Sequence, residues 1–204
     1  WIVTSNPYAW STLPFKTKVR MKLHIVLLKK LVNRVKYIVT QTEAVKNGLI
    51  CKLGKVPDSI RVVNNVLPAV YASLDNTPIV EESGWVEIPA VGSGEHKNLD
   101  IIPEVLKELE DTYGIKNYRF HITLPKSSPV LPIIETKIKE LGYQDRVVNH
   151  GNLKQQDLAI LYRKCKISYL PSVLEVFSAS TIESMYFQLP TVATDLFFNT
   201  EVFG

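Results

Sequence analysis

The sequence predicts an α/β fold of parallel sheets arranged in two modules, and three observations carry that prediction. Short apolar, strand-like runs alternate with helix-length segments along the chain, the pattern of βαβ units, whose crossovers set successive strands parallel. A polar, turn-rich stretch, SLDNTPIVEESG, separates two such series. The charge divides at the same place. Residues 1–72 hold 12 Lys/Arg against two acids, Glu43 and Asp58, a balance of +10, so the remainder of a chain with net charge +4 carries −6. Residues 1–74 are therefore read as one module, 75–84 as a linker and 85–204 as a second module.

In the first module WIVTSNPYAW opens with a short strand-like run. KVRMKLHIVLLKKLVNR follows as a basic helix, with Met21, Ile25, Leu28 and Leu31 at helical spacing. VKYIVTQ reads as a strand, EAVKNGLICKLG as a helix and IRVVNNV as a strand. The second module runs WVEIPAVG (strand), LDIIPEVLKELEDTYG (helix), YRFHITLP (strand), IIETKIKELGY (helix) and RVVNHG (strand). It continues with KQQDLAILYRKC (helix), KISYLPS (strand), STIESMYFQ (helix) and TVATDLF (strand). Pro103 falls early in its helix and predicts an irregular start there.

The 204 residues are 46% hydrophobic and 22% charged, enough to bury one large core or two small ones. Cys51 and Cys165 lie far apart in helical patterns without metal-like spacing, and are read as buried thiols in a reducing compartment. No apolar run approaches the ~18 residues of a membrane-spanning helix. The chain begins at Trp1 and stops at Gly204 soon after a strand-like run, and is expected to be a fragment.

In open α/β sheets ligands sit beyond the carboxyl ends of the strands, which directs attention to the loops GSGEHKN, PKSSP, HGNLK and SVLEVFSAS. Gly92 and Gly94 begin a dinucleotide fingerprint, but Lys97 stands where the third glycine is required. The next strand also ends in TLP, with no acid for a ribose. Lys97 itself, on a loop before a helix, suits a phosphate. A solvated surface lysine is the alternative.

SVLEVFSAS offers Ser178, Ser180 and Thr181 as residues able to cap a helix whose amides would hold a diphosphate. Glu175 and Glu183 flank it, and a carboxylate accepts hydrogen bonds from vicinal hydroxyls of a sugar or a ribose. Ser180-x-x-Glu183 equally matches a capping box, and Glu175 equally reads as an exposed loop acid.

PSVLEVFSASTIESMYFQLPTVATD resembles the donor-binding signature of retaining family 4 (group 1) glycosyltransferases, which have the GT-B fold of two Rossmann-like parallel-sheet domains. The matching residues are Pro171–Ser172, Glu175, Phe177, Glu183, Pro190–Val192 and Glu201–Val202. HKNLDIIPEVLKEL resembles the family's first-loop lysine and helix, and LKQQDLAILYRKCKISYLPS its approach to the signature. YIVTQTEAVKNGLI and IRVVNNVLPAVY resemble the end of its N-terminal domain. The resemblance implies that this chain spans the end of the acceptor-side domain and most of the donor-binding domain. By itself it would then transfer little or no sugar.

The resemblance also implies roles. Glu175, Phe177, Ser178 and Ala179 would meet the donor sugar, Lys97 and Ser180 the diphosphate, Glu183 the ribose, and Asn152 and Leu153 the base. The reaction would move a sugar with retention from a UDP-sugar or GDP-sugar to a glycan or lipid-linked acceptor, in surface polysaccharide or glycolipid synthesis. The chain departs from the family at Val176 and Ser178, where many members have glycine, and lacks a clear counterpart of the arginine that accompanies the lysine. Thr4, Ser5 and Asn6 stand where many members carry a histidine, so no catalytic group is assigned.

There is no Asp-x-Asp motif, and His24, His96, His121 and His150 are scattered, so no metal or other cofactor is expected. The basic segment 16–36 suits anionic headgroups, at ~1 kcal/mol per basic residue near the surface, which places the protein in the cytoplasm or against the inner face of the plasma membrane. An ordinary solvated helix is the alternative. Nucleic acid is a poor partner, because the basic residues lack interleaved aromatics. A catalytically silent nucleotide-sugar-binding or scaffold module is the competing reading of the whole.

Overall fold

A computed structural model describes residues 11, 15–54, 57–74, 76–79 and 84–203. The strand expected in WIVTSNPYAW, the positions Thr4, Ser5 and Asn6, and residues 75 and 80–83 of the linker lie outside the described residues. In chain order the first elements are α1 (Phe15–Leu31), β1 (Ile38–Thr40), α2 (Glu43–Leu53), β2 (Ile60–Val62) and α3 (Ala69–Ala72). Then come β3 (Val86–Ala90), α4 (Ile102–Tyr113), β4 (Tyr118–Ile122), α5 (Leu131–Leu141) and β5 (Val147–Asn149). The last are α6 (Gln155–Lys164), β6 (Ser168–Leu170), α7 (Ala179–Tyr186), β7 (Thr191–Ala193) and α8 (Phe197–Phe203). Among the described residues every strand pair is parallel.

The chain groups into two compact units. One comprises Trp1–Asn65, Val173–Ser178 and Asp195–Gly204, the other Val66–Ser172 and Ala179–Thr194. In the first, β1 pairs with β2 in a register that sets Ile38 against Ile60 and Thr40 against Val62, with α2 as the crossover. Thr42 caps α2 by accepting the Val45 N–H at 3.3 Å. The Glu201 carboxylate of α8 takes two further amides of the same helix end, Glu43 N–H at 2.6 Å and Ala44 N–H at 3.0 Å. An anion at a helix N-terminus satisfies donors that have no partner within the helix.

Helix α1 buries none of its residues. The apolar stripe expected from Met21 and Ile25 is only half-buried, while Val19, Leu23, Val26 and Leu27 are exposed. Apolar residues at 26, 27 and 28 cannot all share one face of a helix, so apolar and basic side chains interleave around it. Leu28 and Leu31 join Val32, Val35, Ile38 and Leu49 around an apolar pocket of about 140 Å³.

In the second unit β3, β4 and β5 are hydrogen-bonded in that order, and β6 pairs with β7. The Lys166 N–H donates to the Glu87 carbonyl at 2.9 Å, which ties the entry of β6 to β3. Strand order thus proceeds outward from β3 through β5, and the chain then returns to β6, placing a reversal of order between β3 and β6. Alternate residues of these strands serve opposite faces. Ile88, Ala90, Phe120, Ile122 and Val147 join one core with Ile102 and Leu106 of α4 and Ile134 and Ile138 of α5. A second core gathers Tyr71 of α3, Leu158, Ala159, Leu161 and Tyr162 of α6, and Phe187.

Two single 3₁₀ turns, Glu95–Lys97 and Leu99–Ile101, precede α4, whose first turn contains Pro103. This is the irregular start that the proline predicted. Cys165 is buried as expected, but Cys51 is exposed. It lies in the last turn of α2, beyond Gly48, the helix's buried position.

Candidate functional site

The reversal between β3 and β6 is where an open α/β sheet presents a ligand crevice. The loop leaving β3 begins Val91-Gly92-Ser93-Gly94, and Gly92 has φ of +144°, a conformation that side chains with a Cβ rarely adopt. The Gly92 N–H donates to Thr123 Oγ1 at 3.1 Å, joining this loop to the one that leaves β4. The next residue, Leu124, receives a two-way clamp from Asn149 at the end of β5. Its N–H donates to Asn149 Oδ1 at 3.1 Å, and its carbonyl accepts from Asn149 Nδ2 at 3.0 Å. The same Oδ1 accepts the Gly151 N–H at 3.1 Å. Three consecutive strand-end loops are thereby fastened together.

Between them lies a pocket of about 260 Å³ lined by Val91, Gly92, Ser93, Thr123, Asn152, Leu153 and Leu158. Asn152 and Leu153, expected to meet a base, line it beside the glycine loop.

Lys97 ends the first 3₁₀ turn, and Asn98 follows in the left-handed region with φ of 55°, which asparagine tolerates well. The Lys97 side chain lies against Gly92, and a Cβ added there would stand 2.7 Å from its Cγ. The positive charge of Lys97 also acts on Glu183, drawing its carboxyl pKa down.

Glu183 lies in α7 and is buried, 6% exposed. Tyr71 Oη donates to Oε1 at 3.0 Å and Tyr162 Oη to Oε2 at 3.0 Å. Both tyrosines are essentially fully buried. Burial raises the Glu183 carboxyl above its usual value, and the bonds from Tyr162 and Tyr71 oppose that rise. Burial and the adjacent carboxylate raise both phenols, so they remain protonated donors. The capping-box alternative for Glu183 is not what the side chain does: its oxygens turn to the tyrosines. Ser180, buried in the first turn of α7, accepts the Ser184 hydroxyl through its carbonyl at 2.7 Å. Ser184 anchors the helix to β6 through a 2.6 Å bond to Ser168 Oγ.

Lys97, Asn152, Leu153, Ala179, Ser180 and Glu183 therefore all belong to the second unit. Glu175, Phe177 and Ser178 lie on the irregular segment 173–178, which groups with the first unit. There the Phe177 carbonyl accepts from Asn65 Nδ2 at 3.2 Å. Glu201, part of the recognised sequence pattern, serves the α2 terminus described above. Sequence reasoning did not single out Tyr71, Tyr162, Thr123 or Asn149. An aromatic in a helix or a polar residue at a strand end carries no local mark of its tertiary partner.

A second polar cluster lies on the sheet face that carries Glu87 and His121. The Glu87 carboxylate meets Arg119 Nη1 at 3.3 Å and His121 Nε2 at 2.8 Å, and His121 Nδ1 faces His150 Nε2 at 2.8 Å. Among the described residues no three His, Cys, Asp or Glu side chains gather as a metal-binding group, and no helix is long and apolar enough to cross a membrane.

Comparison with known proteins agrees with this geometry. Mannosylfructose-phosphate synthase of Agrobacterium fabrum (strain C58 / ATCC 33970) is 32% identical over 69 residues, which are 34% of this chain and 15% of that protein. The crystal structure of Anabaena Alr3699/HepE in complex with UDP-glucose superposes with a TM-score of 0.70 at 15% identity, over 87% of this chain and 50% of that one. A mutant of S. aureus TarM in complex with Fondaparinux, alpha-GlcNAc-glycerol and UDP gives 0.64 at 18% identity, over 84% and 32%. The chain thus spans a seventh to a half of the length of these relatives. The fold is a mixed α/β fold with parallel sheets, as in GT-B glycosyltransferases. The profile described as "Glycosyl transferases group 1" matches residues 87–204, more than half of the 204 residues, and the chain belongs to that family.

Proposed function

We propose that this chain is the donor-binding part of a retaining, family 4 hexosyltransferase that moves sugar from a UDP-sugar or GDP-sugar to an acceptor hydroxyl. One observation carries the reading: Lys97 and buried Glu183 share one electrostatic neighbourhood, and the Lys97 stem rests on Gly92, which lines the pocket with Asn152 and Leu153. A cation for diphosphate, a carboxylate for a diol and a pocket for a flat base are the three parts a nucleoside diphosphate requires. Glu175 and Phe177 are assigned to the sugar. Charge developing on the leaving diphosphate is met by Lys97 and the α7 amides, fixed donors that favour the transition state. No divalent cation is invoked, since the sequence has no Asp-x-Asp motif.

Calorimetric titration with UDP, GDP, ADP and NAD in chelator, repeated with Glu183→Ala, tests the reading. Selective binding of one nucleoside diphosphate, weakened in the variant, supports it. Equal indifference to all four by the folded protein overturns it. A catalytically silent binding module remains the second reading, favoured by the lack of a clear counterpart to the arginine that accompanies the lysine, where Ser93 and Gly94 stand. Donor turnover by the longer protein distinguishes the two.

The partner on the acceptor side is proposed to be a glycan or lipid-linked acceptor of surface polysaccharide or glycolipid synthesis. We place the protein at the cytoplasmic face of the plasma membrane, where α1 rests on anionic lipid. Its support is the exposure of basic Lys16, Arg20, Lys22, Lys29 and Lys30 together with Val19, Leu23 and Val26. Co-sedimentation with anionic but not zwitterionic vesicles, lost on reversal of Lys22, Lys29 and Lys30, is expected; equal recovery with both vesicles excludes it.

A further inference from the structure

A carboxylate offers about four acceptor directions, two on each oxygen. In Glu183 one direction on each oxygen is already taken, by Tyr71 Oη at 3.0 Å and by Tyr162 Oη at 3.0 Å. One direction on each oxygen is left, and a vicinal diol presents two hydroxyls. The supply of acceptors matches the demand.

We infer that Tyr71 and Tyr162 are positioning residues that hold the Glu183 carboxylate ionised and oriented, with one remaining acceptor on each oxygen aimed at the two ribose hydroxyls of the nucleotide. The inference rests on the proposed ribose role of Glu183. Neither tyrosine touches the ligand. Tyr71 reaches Glu183 from 112 positions upstream and Tyr162 from 21, so two separate helices fix one side chain from beneath. Phe187 stacks on the Tyr162 ring at 5.3 Å and the tyrosine is buried, so the second phenol has little freedom.

The two phenols do electrostatic as well as geometric work. A buried carboxylate without donors takes up a proton near neutral pH, and a protonated acid loses acceptor capacity toward a diol. The charged or titratable groups acting on Glu183 are Tyr162, Tyr71 and Lys97, and all three favour its ionised form against the penalty of burial. Removing both hydroxyls leaves Lys97 alone to do so.

The test uses Tyr71→Phe, Tyr162→Phe and the double variant, which delete one oxygen each and keep the rings that fill the core. Nucleoside diphosphate affinity is measured from about pH 5.5 to 8.5, and the Glu183 carboxyl is followed over the same range by isotope-edited infrared or ¹³C NMR spectroscopy. Above the carboxyl's titration the double variant should bind within a fewfold of the parent. Below it, affinity relative to the parent at the same pH should fall by about tenfold per pH unit, in step with the carboxyl signal. Glu183→Gln should be weaker throughout, by a factor relative to the parent that does not change with pH.

A double variant whose pH dependence matches the parent's, with an unmoved carboxyl signal, overturns the inference. A uniform loss of affinity at every pH also overturns it, since that is the mark of a merely structural role. If the carboxyl signal moves as expected while no nucleoside diphosphate binds the parent, the orientation of Glu183 stands and the ribose assignment fails.

Discussion

The aliphatic stem of Lys97 lies flat against Gly92, so close that a Cβ there would meet Lys97 Cγ at 2.7 Å and Cδ and Cε at 2.8 Å each. The glycine is needed for its φ of +144° and also for the room it leaves the lysine.

Gly92→Ala should therefore do two things at once. The backbone strain should cost about 1–3 kcal/mol of stability. Displacement of Lys97 should weaken nucleoside diphosphate binding. Lys97→Met removes the charge alone and should leave the melting temperature within a few degrees while reducing UDP affinity far more than uridine affinity. Calorimetry with both ligands separates the two effects. A Lys97→Met protein that binds UDP as tightly as the parent would exclude phosphate binding by this lysine.

Removing the Asn149 clamp should loosen the pocket without emptying the core. Asn149→Ala deletes three hydrogen bonds to Leu124 and Gly151, worth about 1 kcal/mol each at most in so exposed a position. Expected are a modest drop in melting temperature and a larger loss of discrimination among UDP, GDP and ADP. Hydrogen exchange should speed up at residues 123–124 and 150–153 and stay unchanged in β3. Unaltered exchange in both loops would contradict the clamp.

The His121–His150 contact predicts a pH dependence of stability with a definite sign. Because the Glu87 carboxylate engages Nε2 of His121, the neutral ring offers Nδ1 as acceptor and His150 Nε2–H donates to it. Burial, with His121 nearby, depresses the His150 pKa below the ordinary 6.5. The unfolded chain then binds more protons than the native one below that value. Stability should fall as pH drops through 6.5 and level off below the depressed native value. Melting temperatures of the parent and His150→Asn between about pH 8 and 5 check this. The variant should lose that part of the slope, and identical slopes would rule it out.

Glu201 should matter to stability through α2. Glu201→Ala leaves the Glu43 and Ala44 amides without their carboxylate, at a cost of about 1 kcal/mol. Glu201→Gln, which keeps one acceptor, should recover part of it. Urea denaturation followed by circular dichroism distinguishes the three proteins, and indistinguishable midpoints would refute a capping role.

Much of the second unit was legible because its strands are short apolar runs bounded by turn residues, and because their alternation with helices leaves parallel pairing as the economical solution. The ligand edge was legible for a related reason: parallel strands put all their carboxyl ends on one side, so the loops with Lys97, Asn152 and the approach to Glu183 share one edge, while the base role of Asn152 comes with the family resemblance. What escaped was tertiary. Tyr162 reads as an apolar helix position and Tyr71 falls in no predicted element, and nothing nearby in sequence shows that their hydroxyls converge on one carboxylate. Helices α3 and α8 escaped because four and seven residues are too few for a periodic signal. Val173–Ser178 is continuous in sequence with the second series, yet groups with the first unit.

The bond between Glu201 and the start of α2 spans 158 positions of chain. That helix end is closed only once the residues between Asn65 and α8 have been made. A nascent chain that has emerged through Asn65 already holds both strands of the β1–β2 pair but not the acid that closes the helix between them. The intervening residues can assemble β3 to β5 with mostly local crossovers while that end waits. Such a long-range closure is entropically slow, since little is gained until the loop is nearly complete. A chain arrested just before α8 therefore has the Glu43 and Ala44 amides without their carboxylate.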